Sequence, residues 1–224
     1  MQRSDDEIQR DINAELKWEP SLRDDNVAVA VRDGVATLAG FVGSFADKWN
    51  AERVASQVRG VRAIANDLEV KLPIDSQRPD PDIAHAAVNA LLWSVSVPHE
   101  RIQVKVENGW ITLEGEVDWY YQKEAAERAV RDLTGVKGVT NLVVVKQRAT
   151  PSDVKERIRA ALQRGAQLDA EHITVEVEGG KAILHGTVRC YAEMQEAERA
   201  ARNAPGITEV DNRLTVEPTV HAGV

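Results

Sequence analysis

Side chains able to do chemistry are few in this chain, and their spacing is informative. Five histidines (His85, His99, His172, His185 and His221) could ligate a metal or shuttle protons, but no two share a ligand spacing. A single thiol, Cys190, could act as a nucleophile. It has no second cysteine to form a disulfide or a CxxC metal pair. Glycines at Gly34, Gly40, Gly109, Gly115, Gly180 and Gly186 have neither the GxGxxG nor the Lys-Ser/Thr spacing of a phosphate loop, and fit turns and close strand contacts instead. No residue constellation here points to an enzyme, a resident metal or a cofactor. The expectation is a non-enzymatic binding protein with none of these.

Several of these residues recur at fixed intervals. An offset of 75 residues and then of 71 places Gly34, Gly109 and Gly180 in register, and with them Leu38, Leu113 and Leu184, and Asn66, Asn141 and Asn212. The motif AER is shared by Ala51–Arg53, Ala126–Arg128 and Ala197–Arg199. A fixed period of this length marks a structural unit written repeatedly, and three modules are expected at 5–70, 80–145 and 151–216.

Each module has the same order of patterns. Apolar residues at helical spacing come first: Ile8, Ile12 and Leu16; Ile83, Ala87 and Leu91; Val154, Ile158 and Leu162. Two alternating runs follow, separated by Asp33-Gly34, Asn108-Gly109 or Gly179-Gly180, dipeptides suited to the positive φ of a tight hairpin. A second helix carries AER, with the Glu-Arg pair expected to face water, and a final strand completes the unit. The predicted fold class is α+β: three tandem αββαβ modules, each a three-stranded mixed sheet with two helices on one face. The recurring asparagines are expected to bond neighbouring backbone, and the aligned Phe45, Tyr120 and Tyr191 to plug one end of their own cores.

The pattern G-x-x-x-L-x-G-x-V at Gly34–Val42, Gly109–Val117 and Gly180–Val188, followed by AER and by G-[VI]-x-x-[VI]-x-N-x-[LV] at Gly60–Leu68, Gly135–Val143 and Gly206–Leu214, resembles the BON domain. The resemblance implies an envelope or osmotic-stress setting and binding of anionic phospholipid, with potassium binding in some relatives. It also implies phospholipid contact through the first helix of a second domain.

Differences among the modules locate candidate binding residues. Where the outer copies place Asn13, Lys17 and Pro20, or Arg159, Gln163 and Ala166, the middle copy places Val88, Leu92 and Val95, with Trp93 beside them. This second apolar stripe needs a cover: another part of the chain, a lipid surface, or a protein partner. Trp119, in the run WYYQKEAAERA, belongs to the middle copy alone. Lys71, Arg78, Lys146 and Arg148 concentrate positive charge at the junctions, where an anionic headgroup would bind. Three functions stay open: weak association with phospholipid headgroups or envelope partners, potassium or small-ligand binding, and a protein–protein adaptor using the middle stripe.

A formal net charge of −8 supplies no field to gather nucleic acid. The most apolar run, 83–97, is too short and polar for a transmembrane segment. The chain as written is expected to be soluble and cytoplasmic, or periplasmic if an export signal precedes it.

Overall fold

The computed structural model describes residues 3–22, 27–146, 153–164, 172–178 and 180–217. In chain order the elements are α1 (Asp5–Trp18), β1 (Val27–Arg32), β2 (Val35–Val42), α2 (Phe45–Ser56) and β3 (Ala63–Val70) for the first repeat. The second has α3 (Asp80–Trp93), β4 (Ile102–Glu107), β5 (Trp110–Val117), α4 (Tyr120–Arg131), β6 (Gly138–Asn141) and β7 (Val144–Val145). The third has α5 (Val154–Arg164), β8 (Ile173–Glu178), β9 (Lys181–Val188), α6 (Tyr191–Arg202) and β10 (Glu209–Val216). The order αββαβ occurs three times, giving an α+β fold with three mixed sheets.

The hairpin dipeptides set the sheets. Asp33 and Gly34 adopt φ of 52° and 75°, and Asn108 and Gly109 adopt 54° and 82°, the doubly positive turn that leaves Arg32 opposite Val35 and Glu107 opposite Trp110. Of the third dipeptide, Gly179 lies outside the described residues. In the first two repeats an aspartate at the start of the first helix clamps this turn. Asp5 accepts the N–H groups of Asp33 (2.7 Å) and Gly34 (3.0 Å), and Asp80 those of Asn108 (2.7 Å) and Gly109 (2.8 Å).

Strand order in each sheet puts the middle strand of the repeat at the centre: β1-β2-β3, β4-β5-β6 with β7 continuing beside β5, and β8-β9-β10. The hairpin is antiparallel and the last strand parallel, as a helical crossover requires. In the second repeat α3 packs on β4 and α4 on β5 and β6. In the third, α5 packs on β8 and α6 on β9 and β10. The stripes Ile8-Ile12-Leu16, Ile83-Ala87-Leu91 and Val154-Ile158-Leu162 are buried, as are Ala51, Ala126 and Ala197 of the AER helices, whose small side chains let helix and sheet approach closely.

Two compact units result, one of residues 1–40, 50–68 and 148–224, the other of 41–49 and 69–147. Within the first, the third repeat meets the first through main chain: Gly60 N–H donates to the Arg189 carbonyl at 3.1 Å, and Tyr191 N–H to the Val61 carbonyl at 2.9 Å. Within the second, Phe45 packs against the core of the middle repeat, and the Arg131 guanidinium lies 3.8 Å over the Trp49 ring. Phe45 thus corrects the expectation that each aligned aromatic plugs its own repeat: the ring opens α2 at a corner, and from there it reaches the neighbouring core.

Candidate functional site

The middle repeat's first helix carries the feature the sequence singled out. On α3, Ile83, Ala87 and Leu91 face the core, and the residues one position further round face out. Val88 and Leu92 are about half exposed, Trp93 is 83% exposed and Val95, just past the helix, is fully exposed. Residues 86–98 contain no ionisable side chain, although 29% of the chain is charged. An apolar, charge-free tip can leave water without stranding a charge, whereas burying even one unpaired charge would cost several kcal/mol.

Of the expected cations, Arg78 stands away from this tip. Arg78 precedes α3 and donates to the carbonyls of Asp75 (2.7 Å) and Gln77 (2.8 Å). Trp93 is at the other end of a helix that rises roughly 1.5 Å per residue over 14 residues, about 20 Å away. Lys71 sits 3.8 Å from Glu69 and 4.4 Å from the Phe41 ring centre, and Lys146 sits 3.9 Å from Glu116. Arg148 lies outside the described residues, as does His221. Trp119 caps the N-terminus of α4 and is half-buried. Its N–H and that of Asp118 both donate to the Gln122 side-chain carbonyl at 3.0 Å. Of the three adjacent aromatics, Tyr121 is the most exposed.

The recurring polar residues have a clear structural use. In each repeat the asparagine on the strand that follows the AER helix bonds in two directions. Its Oδ1 accepts the N–H two residues on (Leu68, Val143, Leu214; 3.2–3.4 Å). Its Nδ2 donates to the AER glutamate (Glu52, Glu127, Glu198; 2.9–3.2 Å). The AER glutamate is therefore not only a solvated helix face, correcting that expectation: it anchors the asparagine, which occupies an N–H on the outer edge of the sheet. Arg53 reaches Glu19 at 3.0 Å and Arg202 pairs with Glu198.

Chemical candidates are sparse in the fold too. Cys190 is buried at the start of α6, and burial pushes its thiol pKa up, away from the reactive thiolate. Among the described residues, no three His, Cys, Asp or Glu side chains are placed to hold a metal ion. No helix among them is long and apolar enough to cross a membrane.

The BON domain model matches residues 4–71, 79–147 and 151–218, nearly the whole chain. The chain belongs to the BON domain family. It is 28% identical over 141 residues to osmotically-inducible protein Y of Escherichia coli strain K12, covering 61% of this chain and 70% of that protein. Among solved structures, it is similar to the C-terminal domain of CdsD, a structural protein of the type III secretion system of Chlamydia trachomatis, at 15% identity and a TM-score of 0.27, over 93% of this chain and 96% of that one. A second CdsD structure matches at 16% identity with the same score. A score that low says nothing of function. The strand asparagine and the AER glutamate are thus shared by all three BON units and read as scaffold, whereas the α3 stripe belongs to one unit.

Proposed function

We propose that this BON protein is a non-enzymatic, stress-associated binding protein whose middle repeat attaches to phospholipid through the outward face of α3. The observation carrying this reading is the charge-free stripe Val88, Leu92, Trp93 and Val95, exposed at the end of a helix whose opposite side is fully packed. Complete burial of a Val or Leu contributes roughly 1.5–3 kcal/mol. Val88 and Leu92 are already half covered, so together with Val95 the stripe supplies a reversible attachment of modest strength. An indole at the water–lipid boundary adds to it, because the ring is apolar and its N–H is polar. The similarity to an osmotically inducible protein supports a stress setting.

Co-sedimentation of the full chain with vesicles of phosphatidylcholine, alone and mixed with phosphatidylglycerol, tests the reading. Pelleting that is lost in a Val88→Gln/Leu92→Gln variant with unchanged melting temperature supports it. No pelleting at low salt with either lipid overturns it. If Lys71, Arg78, Lys146 and Arg148 contribute, anionic vesicles bind better and added salt weakens binding; an apolar attachment alone is indifferent to salt.

A further inference from the structure

The repeat offset places Trp93 on Trp18. Each is the last residue of the first helix of its repeat, Asp5–Trp18 and Asp80–Trp93. Trp18 is 84% exposed, against 83% for Trp93. Four residues later the chain turns inward again, through buried Leu22 in one repeat and buried Val97 in the other. The same backbone passage therefore presents an indole to solvent in both places, one in each compact unit. A tryptophan left this exposed does nothing for its own core, and its recurrence at one structural position separates it from a stray surface residue.

The surroundings of the two rings differ. Asn13, Lys17 and Pro20 flank Trp18, whereas Val88, Leu92 and Val95 flank Trp93. A shaped protein pocket reads a patch, and these two patches share little beyond the ring. A bilayer boundary is laterally continuous and selects the amphipathic indole itself, whatever stands beside it. The carboxylate next to Trp18 is engaged elsewhere: Glu19 accepts from Arg53 and from the Ser21 hydroxyl, both at 3.0 Å. The third repeat has Arg164 at this position and supplies no third ring.

We propose that Trp18 is a second lipid-boundary anchor, equivalent in position to Trp93, so that the chain attaches through one indole from each of two repeats. This rests on the phospholipid reading above. Two weak contacts on one chain reinforce each other because the second forms intramolecularly, giving a use to a first repeat whose helix lacks the apolar stripe.

The experiment compares the full chain with Trp18→Gln, Trp93→Gln and the double variant, using co-sedimentation with phosphatidylcholine–phosphatidylglycerol vesicles and quenching of tryptophan emission by brominated phosphatidylcholine. Both rings are exposed, so melting temperatures should match the parent. Expected is a several-fold loss of vesicle binding in each single variant, a larger loss in the double, partial recovery with Trp18→Phe, and less bromine-quenched emission in Trp18→Gln. If Trp18→Gln binds and quenches as the parent does while Trp93→Gln fails, the second anchor is refuted and the phospholipid reading stands. A parent chain that binds no vesicle refutes both.

Discussion

The outer sheet faces of the third and middle repeats share one backbone and carry opposite chemistries. In the third, Lys181 pairs with Glu209 at 2.7 Å and Asp211 at 3.5 Å, and Arg213 closes the run on Asp211 at 2.8 Å. In the middle repeat the same four positions hold Trp110, Gly138, Thr140 and Leu142. The Trp110 ring lies across Gly138, its Nε1–H donates to the Thr140 hydroxyl at 2.8 Å, and Leu142 and Val144 stand exposed beyond it. Register is unchanged, with Lys181 opposite Glu209 as Trp110 is opposite Gly138. Folding therefore constrains the inward residues and leaves the outward set free. The middle repeat has spent that freedom on apolar groups twice, on α3 and here.

The sharpest way to break this comparison is at the shared scaffold. Gly115 and Gly186 have φ of 140° and 131°, and a Cβ on either would collide with a backbone carbonyl, that of Arg101 or of His172. Gly115→Ala and Gly186→Ala should each destabilise on the order of 3 kcal/mol, through strain plus overpacking, read by urea denaturation. A large gap between the two costs would show that the repeats do not share this constraint.

Next comes the asparagine. Asn141→Ala and Asn212→Ala each strand a main-chain N–H, and each should cost about 1–3 kcal/mol, with Glu198 keeping its Arg202 partner in the second. Hydrogen exchange at Val143 or Leu214 should quicken. Asp80→Ala should cost about 1–2 kcal/mol by freeing two N–H groups of the hairpin. The equivalent residue in the third repeat is Pro151, which has no carboxylate, so no matching substitution exists there.

How much of this was legible in the sequence divides along the same line. Periodicity reports which face of an element is inward, so the stripes from Ile8 to Leu162 and the Asp-Gly and Asn-Gly hairpins could be read directly. It does not report what an inward residue meets. Phe45 recurs as an aromatic, yet nothing local says that it packs on the neighbouring core. Asn141 recurs as an amide, but its bond to Glu127 spans a helix and a turn, so the pair showed only as two separate repeats. For the candidate site, the α3 stripe was legible because three aligned copies allow subtraction. The separation of its tip from Arg78 was not, since closeness in sequence at a helix start is distance at its end. The Trp18–Trp93 alignment was there to be found by the same subtraction, from residues that agree rather than differ.

Smaller effects sharpen the comparison. Leu142→Arg with Val144→Thr moves the third repeat's residues onto the middle sheet; stability should stay within about 0.5 kcal/mol, and binding of a hydrophobic dye should fall. The ionic face of the third repeat should respond to pH. Arg213 first, then Lys181, holds the Asp211 carboxyl below its usual value, while Asp211 raises Arg213 and Glu209 raises Lys181. A carboxyl lowered on folding contributes above its unfolded pKa and loses that contribution as pH falls through the folded one, so this face weakens in acid below about pH 4. Carbon-13 titration of Asp211 should show the depressed value, and Arg213→Ala should return it toward normal. The equivalent positions of the middle repeat, Trp110, Gly138, Thr140 and Leu142, carry no titratable group.

The corner where Gly60 and Val61 meet Arg189 and Tyr191 is joined by peptide groups, which every residue but proline supplies. These bonds ask nothing of the side chains at Val61, Arg189 and Tyr191, so mutation there can leave the copies joined; Gly60, at φ 94° and with Ile8 where a Cβ would stand, has to remain glycine. Duplicated units held in that way are at liberty to diverge on the outside long before they come apart.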